Sequence, residues 1–400
     1  MAQRDYDELF MTQALELARQ GIGLASPNPC VGAVIVDERG RIVGRGTHTY
    51  EGRKHAEVLA IEEAGENARG NTLYINLEPC SHQGRTAPCA DAVIAAGIGR
   101  VVAAMRDPNP LVSGKGFAKL RAAGIEVTER VLNEDARKLN ESFAKYIRTQ
   151  RPLVTLKAAM TLDGKIAGPA TASPNPTALG ASEASTSYIT GEAARAHVHR
   201  LRHANDSIMV GVGTIIADDP LLTDRSGLLR RRPLMRVILD SRLRLPLKSK
   251  IVETCKDDVI VFCSLADESK RRELERHGVR VEQVSLAQPW ATPSSSPDQR
   301  AKKDSRPDLR AVFHRLGELE ITSALVEGGA TINWACLEAR VVDKIFFYYA
   351  PKILGGSGAV PFASGSGYAR LSDAAQVANL TLHQFGEDFA VEGYLRDPYA

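Results

Sequence analysis

His55-Ala56-Glu57, followed by Glu78-Pro79-Cys80-Ser81-His82-Gln83-Gly84-Arg85-Thr86-Ala87-Pro88-Cys89, is the stretch that decides the reading of the N-terminal part of this chain. One imidazole and two thiolates, from His55, Cys80 and Cys89, fill three of the four tetrahedral positions on zinc (Zn2+). The fourth is left for water, which marks a catalytic rather than a structural metal site. Bound zinc brings the pKa of that water down to about 7. A carboxylate is then needed to move protons without ligating the metal, and Glu57 is placed for that work. On an ideal helix, residues two apart lie about 200° around the axis. His55 and Glu57 therefore converge only at a first turn, with the metal off the helix N-terminus. His82 is a competing ligand that would close the site.

The plain reading of each piece is weaker chemistry. A lone His-Ala-Glu triplet is commonly a helix surface, and a lone cysteine is usually a small buried hydrophobe. Together, with a proline before each cysteine, they form the zinc deaminase pattern of H-x-E followed by P-C and a second Cys. Nucleoside deaminases carry C-x-x-C, whereas eight residues separate Cys80 from Cys89. The long loop holds Gly84-Arg85-Thr86, and an arginine beside the metal suits an anionic substrate group such as phosphate.

Outward from the motif, strands alternate with helices, the signature of an α/β domain. Apolar residues at helical spacing run over 5–19, and β-rich runs over 31–36 and 42–46 form a hairpin. Helices follow at 55–64, 91–96, 117–123 and 133–148, with β runs at 72–77, 100–104 and 125–130. Arg151-Pro152 breaks the last helix, which places a domain boundary there: 1–150 and 151–400. The second domain has β runs at 153–158, 207–211, 235–240, 258–263, 323–326 and 343–349. Residues 168–186 and 286–308, rich in Pro, Ser, Ala and charge, read as inserted loops.

The chain has 400 residues, enough for two cores, and a formal net charge of +3. That charge argues against nucleic-acid binding. No apolar run approaches the roughly 18 residues of a membrane span, and no secretory signal opens the chain, so a cytoplasmic location is expected. Six cysteines are too sparse for a disulfide scaffold.

In the second half, Gly211-Val212-Gly213-Thr214 and Glu327-Gly328-Gly329-Ala330-Thr331 each follow a β run. Such turns let backbone N–H groups approach a pyrophosphate. Each alone is a tight turn, and the pair favours a dinucleotide site. Ser241-Arg242 after the 235–240 strand is either a hydroxyl and guanidinium that read a 2′-phosphate, preferring NADPH over NADH, or a solvated strand end. Pro108-Asn109-Pro110 and Ser113-Gly114-Lys115-Gly116 lack P-loop spacing and read as plain turns.

At these residues the chain resembles the family of bifunctional riboflavin biosynthesis proteins, diaminohydroxyphosphoribosylaminopyrimidine deaminases fused to 5-amino-6-(5-phosphoribosylamino)uracil reductases. The matching pieces run in order: Pro27-Asn28-Pro29-Cys30-Val31-Gly32-Ala33-Val34, Gly46-Thr47-His48, His55-Ala56-Glu57, Pro79 to Cys89, and Asp107-Pro108-Asn109-Pro110. Lys157 with Thr161-Leu162-Asp163-Gly164, and Gly213 through Asp218-Asp219-Pro220-Leu221-Leu222-Thr223, continue the match. The resemblance implies a cytidine-deaminase-like three-layer domain followed by a dihydrofolate-reductase-like one. It implies zinc on His55, Cys80 and Cys89, with Glu57 as proton carrier, and Asn28, His48 and Arg85 as substrate contacts. In the second domain it implies cofactor contacts at Met160, Tyr188, Thr214, Asp218, Ser241 and Gly329. Substrate contacts fall on Thr186, Arg202, Leu222, Arg225 and Glu327, and proton handling on Lys157 and Glu327. The implied substrate is a phosphorylated pyrimidine, deaminated and then reduced from ribosyl to ribityl, in a homo-oligomer (dimer or tetramer). The stretch 171–185 departs from the family's short link, which bears on Thr186. The alternatives are a nucleoside or tRNA deaminase joined to an unrelated α/β domain, and a non-catalytic zinc module.

Overall fold

The computed structural model describes residues 2–81, 88–169, 188–285 and 306–400. Arg85, His82 and Thr186 lie outside the described residues, as do most of the two inserted loops. The chain divides into two compact units. The first holds Met1–Gln150 with Leu229–Arg232 and Tyr399, and the second holds the rest.

In the first unit, α1 (Gln3–Arg19) precedes the hairpin β1 (Gly32–Val36) and β2 (Ile42–Thr47). Then come α2 (Ala56–Ala64), β3 (Thr72–Leu77), α3 (Cys89–Ala95), β4 (Arg100–Met105), α4 (Lys115–Ala122) and β5 (Glu126–Glu129). The five strands are ordered β2-β1-β3-β4-β5, antiparallel through β1 and parallel from β3 to β5. Helix α1 packs on β1 and β3, while α2, α3 and α4 form a second layer against the sheet. The strands between are buried along nearly their whole length, as a sheet covered on both faces requires.

The expected helix over 133–148 is two helices, α5 (Asn133–Leu139) and α6 (Glu141–Thr149), broken at Asn140. The cause is a tertiary contact. The buried Asn140 amide accepts from Cys30 N–H at 2.8 Å and donates to Cys30 carbonyl at 3.0 Å. Periodicity carries no trace of that contact.

In the second unit, β6 (Leu153–Thr161) and β7 (Lys165–Ala167) are followed by α7 (Glu192–Ala204). Next come β8 (Ser207–Gly211), α8 (Val212–Asp218), β9 (Met235–Leu239), α9 (Lys250–Glu253) and β10 (Val259–Cys263). Then follow α10 (Glu268–Arg276), β11 (Arg280–Gln283), α11 (Leu309–Glu318), β12 (Ser323–Val326) and α12 (Ala330–Glu338). The chain ends with β13 (Lys344–Ala350), β14 (Val360–Pro361), β15 (Ala378–Phe385) and β16 (Asp388–Tyr394).

The large sheet runs β11-β10-β9-β8-β12-β6-β13-β16-β15, and β11 through β13 are parallel. Alternation along β8 divides the core: Met209 joins the apolar cluster under α11 and α12, while Ile208 and Val210 join the one under α9 and α10. The β15–β16 hairpin is absent from the sequence reading. Most of β15 is exposed and much of it polar, so its pattern lacks a buried face.

Candidate active sites

The first unit gathers His55, Cys80 and Cys89 so that one ligand atom from each lies within 4.8 Å of the others. His55 is the N-cap residue of α2, in extended backbone, and Glu57 sits in that helix's first turn. Cys89 opens α3, two residues earlier than the sequence pattern placed that helix, and Cys80 follows β3. His55 Nδ1 faces both sulfurs, at 3.0 Å from Cys89 Sγ and 3.7 Å from Cys80 Sγ. The donor set of one imidazole and two thiols suits tetrahedral zinc with a position left over. Among the described residues this trio forms the whole cluster.

Electrostatics prepares the ligands. A hydrogen bond from Cys89 and the nearby His55 favour the Cys80 thiolate and lower its pKa. Burial pushes the Glu57 carboxyl upward, against the pull of His55. Glu57 is 3% exposed, so its protons exchange only with what enters the site.

Close backbone packing sets the position of His55 and Glu57. A Cβ on Gly46 would lie 1.9 Å from Ala56 carbonyl oxygen, and one on Gly44 would lie 2.1 Å from that of Ala60. Two glycines on β2 thus let the start of α2 rest directly on the strand.

His48 is buried beside His55, ring centroids 5.1 Å apart. Its Nδ1 lies 2.9 Å from the Lys54 carbonyl, which can only accept, so Nδ1 carries the proton. Nε2 is then the acceptor for Asn28 Nδ2 at 3.0 Å. Burial lowers the His48 pKa, in keeping with a neutral ring. Both nitrogens being used, His48 orients Asn28.

Three residues the sequence reading passed over support this site. Buried Asn76 accepts from Gly32 N–H and donates to Cys30 carbonyl, and with Asn140 it clamps the loop bearing Asn28. Buried Glu78 accepts N–H groups from Asp107, Gly114, Gly116 and Phe117, at 2.8 to 3.4 Å. The glycine turn at 113–116 therefore does hold an anion, and that anion is the chain's own carboxylate. The signal available in sequence was a glutamate before Pro79-Cys80 and a glycine turn with nothing to bind.

In the second unit the proposed cofactor residues fall along one edge of the sheet. Ser241 lies just beyond β9, Thr214 in the first turn after β8, Gly329 at the N-cap of α12 after β12, and Met160 near the end of β6. These four strands are adjacent and parallel, so their C-terminal ends lie side by side, the end at which ligands of open α/β sheets bind. Among the described residues, nothing lies within 4 Å of where a Cβ on Gly213 or Gly329 would sit, so the backbone there is open to approach. Asp218 ends α8 and is exposed. Tyr188 is also exposed, with Arg195 over its ring and its carbonyl accepting from Lys352 Nζ.

Glu327, after β12, meets two cations. Arg202 Nε and Nη2 reach its two oxygens at 2.7 and 3.0 Å, and Lys157 Nζ stands at 3.4 Å. Burial would raise the carboxyl, but Lys157 and Arg202 overcome it and hold the pKa at about 2. The Arg202 fork is turned onto Glu327 and its Nη1 onto the Thr223 carbonyl. An uncompensated buried carboxylate would be costly, which is why the fork stays on Glu327. Leu222 is buried at a positive φ of 54°, and Arg225 is exposed.

Comparison with known proteins bears on both units. The RibD C-terminal domain model matches residues 152–391, and the cytidine and deoxycytidylate deaminase zinc-binding region matches 4–105. Riboflavin biosynthesis protein RibD of Actinobacillus pleuropneumoniae is 39% identical over 97% of this chain and 95% of its own. The chain belongs to the RibD family. The RibD of Aquifex aeolicus is 40% identical over 97% of this chain and 98% of its own. Among solved structures, Acinetobacter baumannii RibD superposes with a TM-score of 0.80 at 35% identity, covering 98% of this chain and 99% of that one. The Thermotoga maritima deaminase/reductase gives 0.76 at 35%, with the same coverage. As a RibD family member, the chain is a bifunctional deaminase and reductase of riboflavin biosynthesis, with a cytidine-deaminase-like N-terminal domain and zinc and NADPH as cofactors. Among the described residues no helix is long and apolar enough to cross a membrane.

Proposed function

We propose that His55, Cys80 and Cys89 hold zinc and that Glu57 carries protons in the deamination of 2,5-diamino-6-(5-phosphoribosylamino)pyrimidin-4-one within residues 1–150. The convergence of those three ligand atoms within 4.8 Å, with Glu57 on the same helix start, carries this reading. When bound, zinc supplies Lewis acidity that makes water a nucleophile near neutral pH. Glu57 takes the proton of the attacking water and hands it to the departing amine, which leaves as ammonia. Asn28, oriented by His48, reads the pyrimidine edge, and Arg85 meets the substrate phosphate.

Residues 151–400 then act on the deaminated product. NADPH, when bound, supplies the hydride that opens the ribosyl group to ribityl. Ser241, Thr214, Asp218, Gly329, Met160 and Tyr188 seat the cofactor along the sheet edge. Glu327 is an ionised acceptor at working pH, so Lys157 is the member of the pair with a proton to give. Arg202 fixes Glu327, Leu222 and Thr186 wall the substrate, and exposed Arg225 receives its phosphate. We also place the enzyme in the cytoplasm as a homo-oligomer. The exposed edge strand β15, with Leu380 and Leu382 at the surface, is the support for self-association. Light scattering on the purified chain tests it.

The decisive variant is Glu57→Gln. It keeps zinc and NADPH oxidation on pre-deaminated substrate, and ammonia release falls by about 10²–10⁴-fold. Undiminished ammonia release would remove Glu57 from the reaction. Zinc-loaded unmodified chain releasing no ammonia would end the deaminase assignment.

A further inference from the structure

His199 stands on α7 one turn before Arg202 and His203, so the three share a helix face. That face is tied to the 223–226 loop. Arg202 Nη1 donates to the Thr223 carbonyl at 3.1 Å, and His203 Nδ1 meets the Asp224 carboxylate at 2.9 Å. The other Asp224 oxygen accepts from Ser226 N–H at 2.9 Å, which bends the loop around Arg225. Arg225 is exposed, and its Nε donates to Thr223 Oγ1 at 3.4 Å. Four charges act on the His199 ring: Arg202, Arg225, Glu327 and Asp224. The imidazole thus lies among the residues assigned to the reductase substrate, yet the reaction described above gives it no task.

The two ring nitrogens of His199 differ. Nδ1 is sealed from solvent and, among the described residues, has no hydrogen-bond partner. Nε2 is not sealed, and the residue as a whole is half-buried. As with backbone groups, an orphaned buried N–H is rarer than an unused acceptor. The proton of the neutral ring therefore sits on Nε2, and His199 presents an N–H donor on its open side. Burial and the two guanidinium groups hold the ring's pKa below its ordinary value, which keeps it neutral near pH 7. Arg202, for its part, turns Nε and Nη2 onto Glu327 and Nη1 onto Thr223. A further donor beside Arg225 has an anion to complete.

We propose that His199 is a further substrate-binding residue of the reductase, its Nε2–H donating to the phosphate group that Arg225 receives. The inference rests on the reading of Arg225 given above. An N–H bonded to a phosphate oxygen is a charge-assisted hydrogen bond, and a neutral ring sits beside a guanidinium without adding like charge.

The test is steady-state NADPH oxidation by the full-length, zinc-loaded protein, on the deaminated substrate and on the same compound lacking its phosphate. His199→Gln places an amide nitrogen near the position of Nε2, and His199→Asn places one near that of Nδ1. His199→Leu has neither. Thermal melts and ammonia release confirm that each variant folds. The expected result is a KM about tenfold higher in His199→Leu and His199→Asn, with kcat little changed and KM restored in His199→Gln. On the phosphate-free substrate every His199 variant shares the KM of the unmodified chain. A merely structural role would not separate Gln from Asn, nor one substrate from the other. Unaltered KM in His199→Leu, or an equal rise on both substrates, overturns the proposal. Arg225→Ala keeps the two readings apart. If it raises KM while His199→Leu does not, the inference fails and the phosphate site stands. If neither raises KM, the reading of Arg225 fails and takes the inference with it.

Discussion

Gly46→Ala tests whether strand-to-helix contact sets the metal geometry. The added methyl carbon would sit 1.9 Å from Ala56 carbonyl oxygen and 2.9 Å from Ala60 nitrogen. Real contacts of this kind stop near 3.0 Å, so the start of α2 must retreat by at least about 1.1 Å. His55 caps that helix and Glu57 lies in its first turn, so both move with it. A Zn–N bond is about 2.0–2.1 Å long, and a shift of half its length breaks tetrahedral closure. Misplacement on the order of 1 Å costs about 10²-fold in rate. Overpacking adds about 1–3 kcal/mol of destabilisation to the unit. Zinc per chain, ammonia release and NADPH oxidation on pre-deaminated substrate are measured on one preparation. The expected outcome is depleted zinc and slow deamination with intact reduction. Gly44→Ala is the control: it collides with Ala60 carbonyl at 2.1 Å, a turn further along α2, and so disturbs packing more than the ligand. Full zinc and undiminished ammonia release in Gly46→Ala would refute the reasoning.

Removing zinc with a chelator should abolish ammonia release and leave NADPH oxidation unchanged, since the cluster lies wholly in the first unit; parallel loss of both activities would contradict this. Arg202→Ala leaves Glu327 with only the more distant Lys157, and breaking such a buried pair costs about 3–5 kcal/mol, to be read as a lowered unfolding midpoint. Acid should act through the same carboxylate. Its folded pKa of about 2 is below the usual 4.5, so its contribution is present above about pH 4.5 and is lost as pH falls toward 2. The stability gap between the unmodified chain and Glu327→Gln should therefore narrow across that window, and a constant gap would show that Glu327 does not supply it.

Some features were local enough to read directly. Thr72–Leu77 is a short β-type run, and the strand occupies those residues. Ser207–Gly211 and Ser323–Val326 were equally plain, because buried parallel strands are short continuous apolar runs. The break at Asn140 was not legible, since Asn is compatible with either outcome until Cys30 is beside it. Hairpin β15–β16 was not read from the sequence: Ala378, Leu380 and Leu382 alternate with polar residues, but they lie exposed on an edge strand rather than against a core.

The order of residue types along the chain determined the chemistry. A histidine, a glutamate two residues on and two proline-preceded cysteines state a catalytic metal site through their donor atoms alone, and resemblance along the chain named the family. Distances were another matter. Whether His55 faces both sulfurs depends on Gly44 and Gly46 lying under α2. Whether Arg202 offers its fork to a ligand depends on Glu327, 125 residues away in sequence. Whether the glycine turn at 113–116 takes a phosphate depends on Glu78 having already filled it. Each is a competition for the same donors among groups remote in the chain, and only folding decides which group arrives first in space.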